Sequence, residues 1–385
     1  MKSVYLDYAA TTPVDREVIE SMLPFFGEIF ANPSSVHTPG QRARAAVEKT
    51  RSSAAALLGA AAEEIIFTSG GTESNNLAVK GLAAARRHLG DHIITSAIEH
   101  HAVLRPCETL EREGFRITRL NVDSAGLLDP SDVKKAMTDK TILISIMHAN
   151  NEIGTIQPIE EIGRMARERG VPFHTDAVQT FGHLPIDVSR LNIDALSVSA
   201  HKFYGPKGVG FLYLRKGTRI LPQMEGGDQE RNRRASTHNV PGIVGLGKAA
   251  ELAEAGMAAE MKRLTEMRDF AVERILGEIG QAHLNGHPSA RLPNNINVRF
   301  DGVEGEALLF SLDMAGIACS SGSACTSSSV DPSHVLAAIG LARQAAHSSL
   351  RFSLGRGTTD GDIEYFLETL AATVARLRSL SKRGA

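Results

Sequence analysis

The segment SVSAHKFYGPKGVG closes a short apolar run on Ser199, Ala200, His201 and Lys202, then turns at Gly205 and Pro206 beside Phe203 and Tyr204. Partial burial of a lysine in such a place lowers its pKa and makes the amine a nucleophile suited to Schiff-base chemistry. A surface lysine lying over apolar neighbours is the plainer alternative. A nucleotide-binding loop is excluded, since GPKGVG lacks the G-x-x-x-x-G-K-[ST] spacing and leads into a strand rather than a helix. In SGGTESNN, Gly70 and Gly71 follow an apolar run and Thr72 opens a helix. Free backbone N–H groups and a helix dipole at that point would hold a phosphate, although an ordinary helix cap looks the same. Asp176 comes at the end of the run in VPFHTDAVQT, with Gln179 three residues on. A carboxylate there can pair with a protonated pyridoxal ring nitrogen or simply cap a helix. His100 and His101 are adjacent, face different ways and have no acidic partner at ligand spacing, so no metal site is expected. A ring stacked on a cofactor, moving protons near neutral pH, is the better use of one of them.

Three cysteines, Cys107, Cys319 and Cys325, are too few for a disulfide framework in 385 residues, and no C-x-x-C spacing suggests zinc. Cys325 falls in SSGSACTSSS, a stretch without hydrophobic periodicity that reads as a loop. Cys319 follows the apolar DMAGIA, and Cys107 sits on a helical stretch; both read as buried packing thiols. Charge nearly cancels, with 42 Lys plus Arg against 44 Asp plus Glu, so no broad field gathers nucleic acid or anionic membrane. Asp7 interrupts what would be the apolar core of a signal peptide, and no run approaches the roughly 20 residues of a membrane span. The expectation is a cytoplasmic protein that binds neither membrane nor nucleic acid.

The elements that must position these residues alternate. Apolar runs at 65–68, 92–96, 141–147, 171–177, 195–201 and 209–214 read as buried strands, with helical stretches between most of them. That order predicts an α/β fold, a mainly parallel sheet with helices on both faces, whose ligands bind beyond the carboxyl ends of the strands. After VPGIVGLG, an Ala-, Glu- and Met-rich helix is expected from about Lys248 to Ile279. The remainder reads as a smaller α+β unit. Residues 16–258 are expected to form the large domain, and residues 1–15 with 259–385 the small one, which carries the cysteine loop at about 319–330.

Ten segments, in order, resemble one family: LDYAATTPVD, NPSSVH, FTSGGTESNNLAVKG, SIMHANNEIGTIQPI, FHTDAVQ, SAHKFYGPKGVG, VPGIVGLG, GVEGEALLFSLD, SSGSACTSSSVDPSHVL and HSSLRFSLGR. Together they are similar to the cysteine desulfurases of the NifS and IscS type, through nearly the whole chain. The resemblance implies pyridoxal-phosphate fold type I, like that of aspartate aminotransferase, working as a homodimer. It implies conversion of L-cysteine to L-alanine with the sulfur left as a persulfide on Cys325. It also makes Lys202 the Schiff-base lysine, Asp176 the partner of the pyridine nitrogen, His100 the stacking ring and Gln179 a donor to the phenolate oxygen. Gly71, Thr72, Ser199 and His201 would bind the cofactor and its phosphate, joined by Thr237 from the second subunit. Asn32, Asn151 and Arg351 would hold the substrate carboxylate, for which a forked guanidinium is apt.

Where family members commonly show GGG-Q-E and R-[AS]-G-T, this chain has GGDQE and RRAST, so Asp228 adds a charge and Ser236 replaces glycine just before Thr237. The implied sulfur acceptor is a protein such as an iron–sulfur scaffold. Longer members continue into a hydrophobic docking tail, whereas this sequence ends at SKRGA, and the tail is expected to be absent. Two other readings stand beside the desulfurase. A selenocysteine lyase or related pyridoxal-phosphate lyase would use the same lysine but need no Cys325. A sulfur carrier or scaffold module would leave Lys202, Asp176 and Arg351 without a joint purpose.

Overall fold

The computed structural model of the chain describes residues 2–321 and 332–381; Cys325, with most of its expected loop, lies outside them. Twelve strands are formed among the described residues, in chain order β1 (Val4–Tyr5), β2 (Ile65–Thr68), β3 (His92–Ser96), β4 (Arg116–Leu120), β5 (Thr141–Ser145), β6 (Phe173–Asp176), β7 (Ala195–Ser199), β8 (Gly210–Leu214), β9 (Ala282–Leu284), β10 (Asn295–Phe300), β11 (Ile317–Ala318) and β12 (Ser349–Ser353). The main sheet has seven strands in the order β2-β8-β7-β6-β5-β3-β4. Parallel pairing joins β4, β3, β5, β6 and β7, while β8 runs antiparallel to both β7 and β2. Every strand but β8 therefore points its carboxyl end to one edge. The central strands are buried at every position, which is why they read as unbroken apolar runs. Strand β4 escaped the sequence reading because it is an edge strand in which only Leu120 is buried.

The long helix begins earlier than its composition predicts, at Val240, and runs 39 residues to Glu278. Asn239 Oδ1 caps it by accepting from the Gly242 N–H at 3.1 Å, and Pro241 fits the first turn, where no N–H is required. Gly247 serves packing: a Cβ there would lie 2.5 Å from Thr50 Oγ1 of the helix Thr38–Ala56. At 1.5 Å per residue the helix is about 58 Å long. Val240 to Ala250 join the core under the main sheet. Leu264 to Ile279 join a separate core with β10, β12 and the helix Asp360–Ser381. In this second region β12, β10 and β9 form an antiparallel sheet, and β1 pairs in parallel with β11. Among the described residues, no helix is long and apolar enough to cross a membrane.

Candidate active site

At the carboxyl edge of the main sheet lies a cavity of about 380 Å3. It collects Gly71 and Thr72 after β2, His100 after β3, Asn151 after β5, Asp176 and Gln179 from the end of β6, Ser199, His201 and Lys202 from the end of β7, and Arg351 from β12. The floor is the N-terminus of helix Gly71–Arg86, whose first amides have no partner within the helix. Only glycine allows this approach, because a Cβ on Gly71 would stand 2.6 Å from Val178 Cγ2. Lys202 Nζ donates to the Ala9 and Ala10 carbonyls at 2.6 and 2.7 Å, so the N-terminal segment forms one wall. His183 Nε2 lies 2.9 Å from the Lys202 carbonyl and fixes the lysine backbone from behind.

Asp176 is buried, accepting from Asn75 Nδ2 at 2.6 Å and from the Val178 N–H at 2.9 Å. These two donors orient a carboxylate whose natural third partner is a protonated nitrogen. His100 accepts from the Ala102 N–H at 3.1 Å through Nδ1, which leaves Nε2 to carry the proton of the neutral ring. Burial lowers its pKa; Asp176 opposes the shift and Lys202 adds to it. Burial likewise pushes His201 down to about 4, with Lys202 and Lys207 contributing. Arg351 is 2 % exposed, with Nη1 donating to the Asn151 carbonyl at 2.9 Å and Nη2 to Asp7 Oδ1 at 2.8 Å. Among the described residues its buried Nε has no partner. A guanidinium with an orphaned donor on a cavity wall suits an incoming carboxylate. The glycine-floored helix end, the held carboxylate, the half-buried lysine and the imidazole together fit pyridoxal phosphate.

Asn32 and Thr237 lie apart from this cavity and are exposed. Asn32 Oδ1 accepts from the Ser34 N–H at 2.9 Å. Thr237 follows a segment in which Glu230, Arg231, Asn232 and Ser236 all take positive φ, at 44°, 54°, 62° and 93°. Ser236 thus stands on backbone that favours glycine. Glu230 bolts the segment down: its buried carboxylate accepts from Arg51 at 2.8 and 2.9 Å, from the Phe67 N–H at 3.0 Å and from His238 Nε2 at 2.6 Å. Burial alone would raise this carboxyl, but the hydrogen bonds from His238 and Arg51 outweigh it and hold the pKa at about 2. Cys319 packs beside the smaller core, where burial pushes its thiol up to about 12. Cys107 is fully buried and likewise raised to about 12 by burial.

Asn75, Asp7 and His183 were not identified as site residues by the sequence reading. Asn75 gave one signal, its position four residues after Gly71 on the same helix face. Asp7 meets Arg351 across 344 positions, a distance no local pattern spans.

The family model described as aminotransferase class-V matches residues 4–366. A cysteine desulfurase IscS from Dictyoglomus turgidum is 57% identical over 380 residues, covering 99% of this chain and 96% of that protein. One from Methanosarcina thermophila is 56% identical, covering 99% and 94%. Among solved structures, a NifS-like protein superposes with a TM-score of 0.92 at 39% identity, over 98% of this chain and all of that one. A structure described as SspA in complex with cysteine gives 0.83 at 43% identity, covering 91% and 99%.

Proposed function

The chain belongs to the class-V aminotransferases, among the cysteine desulfurases, and from that premise we propose how its own residues convert L-cysteine to L-alanine and a protein persulfide. When bound, pyridoxal phosphate supplies an electron sink for bonds at the α- and β-carbons of an amino acid. The observation that carries the reading is the meeting of Lys202, Asp176 and Arg351 on one cavity. Lys202 would hold the cofactor covalently, and its amine would move protons at the substrate α-carbon. Asp176 would keep the ring nitrogen protonated, and Asn75 holds Asp176 in place. His100 would stack on the ring; its lowered pKa leaves it neutral near pH 7, with the proton on Nε2 available to donate. Gly71, Thr72, Ser199 and His201 would hold the phosphate, and Gln179, which here donates to the Ala9 carbonyl, would donate to the phenolate oxygen. Arg351 and Asn151 hold the substrate carboxylate, whereas the position of Asn32, apart from the cavity, gives it no support for the same role.

The thiolate of Cys325 attacks the substrate sulfur. An S–S bond forms as the C–S bond breaks, and a proton takes sulfur's place on the β-carbon. Cysteine plus enzyme thiol thus gives alanine plus enzyme persulfide, with no external oxidant. The active unit is a homodimer in which Thr237 reaches the partner's phosphate; its exposure away from its own cavity supports this. The separate cores support division into a large domain of residues 16–258 and a small one of residues 1–15 and 259–385. The free thiols Cys107 and Cys319 support a cytoplasmic location. The sulfur passes to an acceptor protein such as an iron–sulfur scaffold.

The test is to reconstitute the protein with pyridoxal phosphate, then measure alanine and, with a reductant, sulfide from L-cysteine. Equal amounts of both are expected, with borohydride fixing the cofactor to Lys202 and Lys207→Ala still labelled there. A colourless protein, or a covalent adduct at another lysine, would overturn the proposal.

A further inference from the structure

Two carboxylates beside the cavity, Glu99 and Glu152, are essentially inaccessible, at 0% and 1% exposure, and have no part in the chemistry above. Each adjoins a residue that does: Glu99 precedes His100 and Glu152 follows Asn151. Both meet the short helix His334–Ala338, which comes shortly after Cys325 in the sequence. Ser333 caps this helix, accepting from the Val335 and Leu336 N–H groups at 3.1 and 3.3 Å, and its hydroxyl donates to Glu152 Oε2. His334 Nε2 lies 2.9 Å from the Glu99 carbonyl, and its ring centroid is 4.8 Å from that of His101. Below these contacts Val335, Leu336 and Ile339 pack on Ile98, Met147 and Ile153. Glu152 is itself fixed by the Asn150 side chain at its N–H, and its carbonyl accepts from Asn295 and Asn297.

We propose that Glu152 is a positioning residue for sulfur transfer: through Ser333 it roots the chain following Cys325 on the loop that presents Asn151 to the substrate. A buried carboxylate earns its desolvation cost only through such well-made hydrogen bonds. Here the bond ties the nucleophile's segment and the substrate grip to one point. The inference rests on Cys325 being the sulfur acceptor.

The test uses the reconstituted full chain and L-cysteine, following the KM, the visible spectrum and persulfide on Cys325 by mass spectrometry. In Glu152→Ala and Ser333→Ala, persulfide formation should slow roughly tenfold or more, since small misplacements of reacting groups cost at least that. Cofactor content and KM should stay within about twofold. Glu152→Gln, whose amide oxygen still accepts from Ser333, should restore most of the rate. The double alanine variant should be no slower than either single one, because both remove the same contact. Persulfide formation at the parent rate in both alanine variants overturns the positioning role alone. So does a loss of cofactor and substrate affinity in step with rate, which marks general damage. Persulfide mapping elsewhere in the parent protein overturns the Cys325 reading, and the proposal with it.

Discussion

Glu230→Ala removes the acceptor shared by Arg51, His238 and the Phe67 N–H, and its cost follows from two independent lines. Breaking a buried ion pair by removing one partner costs about 3 to 5 kcal/mol, because the other charge is left buried. Arg51 keeps Glu48 and the Ile65 carbonyl, which moderates the loss, whereas the Phe67 N–H is left without its acceptor. The second line is proton linkage. The carboxyl is held at about 2 against 4.5 in an unstructured chain. At 1.36 kcal/mol per unit that is about 3 kcal/mol of stability. Because the folded pKa is depressed, this contribution is complete above pH 4.5 and is lost as pH falls from 4.5 towards 2. For a chain of 385 residues the unfolding entropy is roughly 0.8 kcal/mol per degree, so Tm should fall by about 4 to 6 °C. Calorimetry of the reconstituted protein at pH 7 measures that drop, and urea unfolding at pH 6 and pH 4 measures the narrowing gap between variant and parent. A Tm within 1 °C of the parent, or a gap that stays constant on acidification, would refute the reasoning.

Arg351→Lys should raise the KM for L-cysteine roughly tenfold to a hundredfold, since an ammonium keeps the charge but not the fork; unchanged kinetics would place the carboxylate elsewhere. Ser236→Gly should stabilise the protein by about 1 kcal/mol by relieving the positive φ, seen as a higher urea midpoint at unchanged slope; a lower midpoint would show that the serine is not strained. Cys325→Ser should bind cysteine, change the cofactor spectrum and then stall, while Cys319→Ala should keep most of its turnover. Native turnover in the first variant, or persulfide on Cys319, contradicts both assignments.

Strands buried on both faces announce themselves as apolar runs, so every strand of the main sheet but β4 was legible, and with them the edge where ligands gather. Residues just past those strands, such as His100, Asp176 and Lys202, could therefore be found by position. What stayed hidden depends on contacts made far along the chain or on a side chain's neighbours. The start of the long helix was missed because VPGIVGLG has the composition of a loop, whereas Gly247 is there to let Thr50 approach. Asn75 looks like any polar residue of a helix until Asp176 is placed against it. Glu230 sits in a charged stretch, GGDQERNRR, that reads as solvated surface, yet its carboxylate is buried.

The N-terminal wall of the cavity also bears on the order in which the protein can be made. Val4 and Tyr5 pair with Ile317 and Ala318, and the Ala9 N–H donates to Ser353 Oγ, 344 positions away. Loops of that span close slowly, and a ribosome delivers residues in sequence. The main sheet can assemble as soon as β8 has emerged, and Thr12 can then dock on His201 and Tyr204, whereas the Ala9 amide gains its Ser353 partner only after β12 has been synthesised. A nascent chain halted before residue 349 should therefore own a folded sheet but no finished pocket, because Arg351, the grip for the substrate carboxylate, has yet to be made.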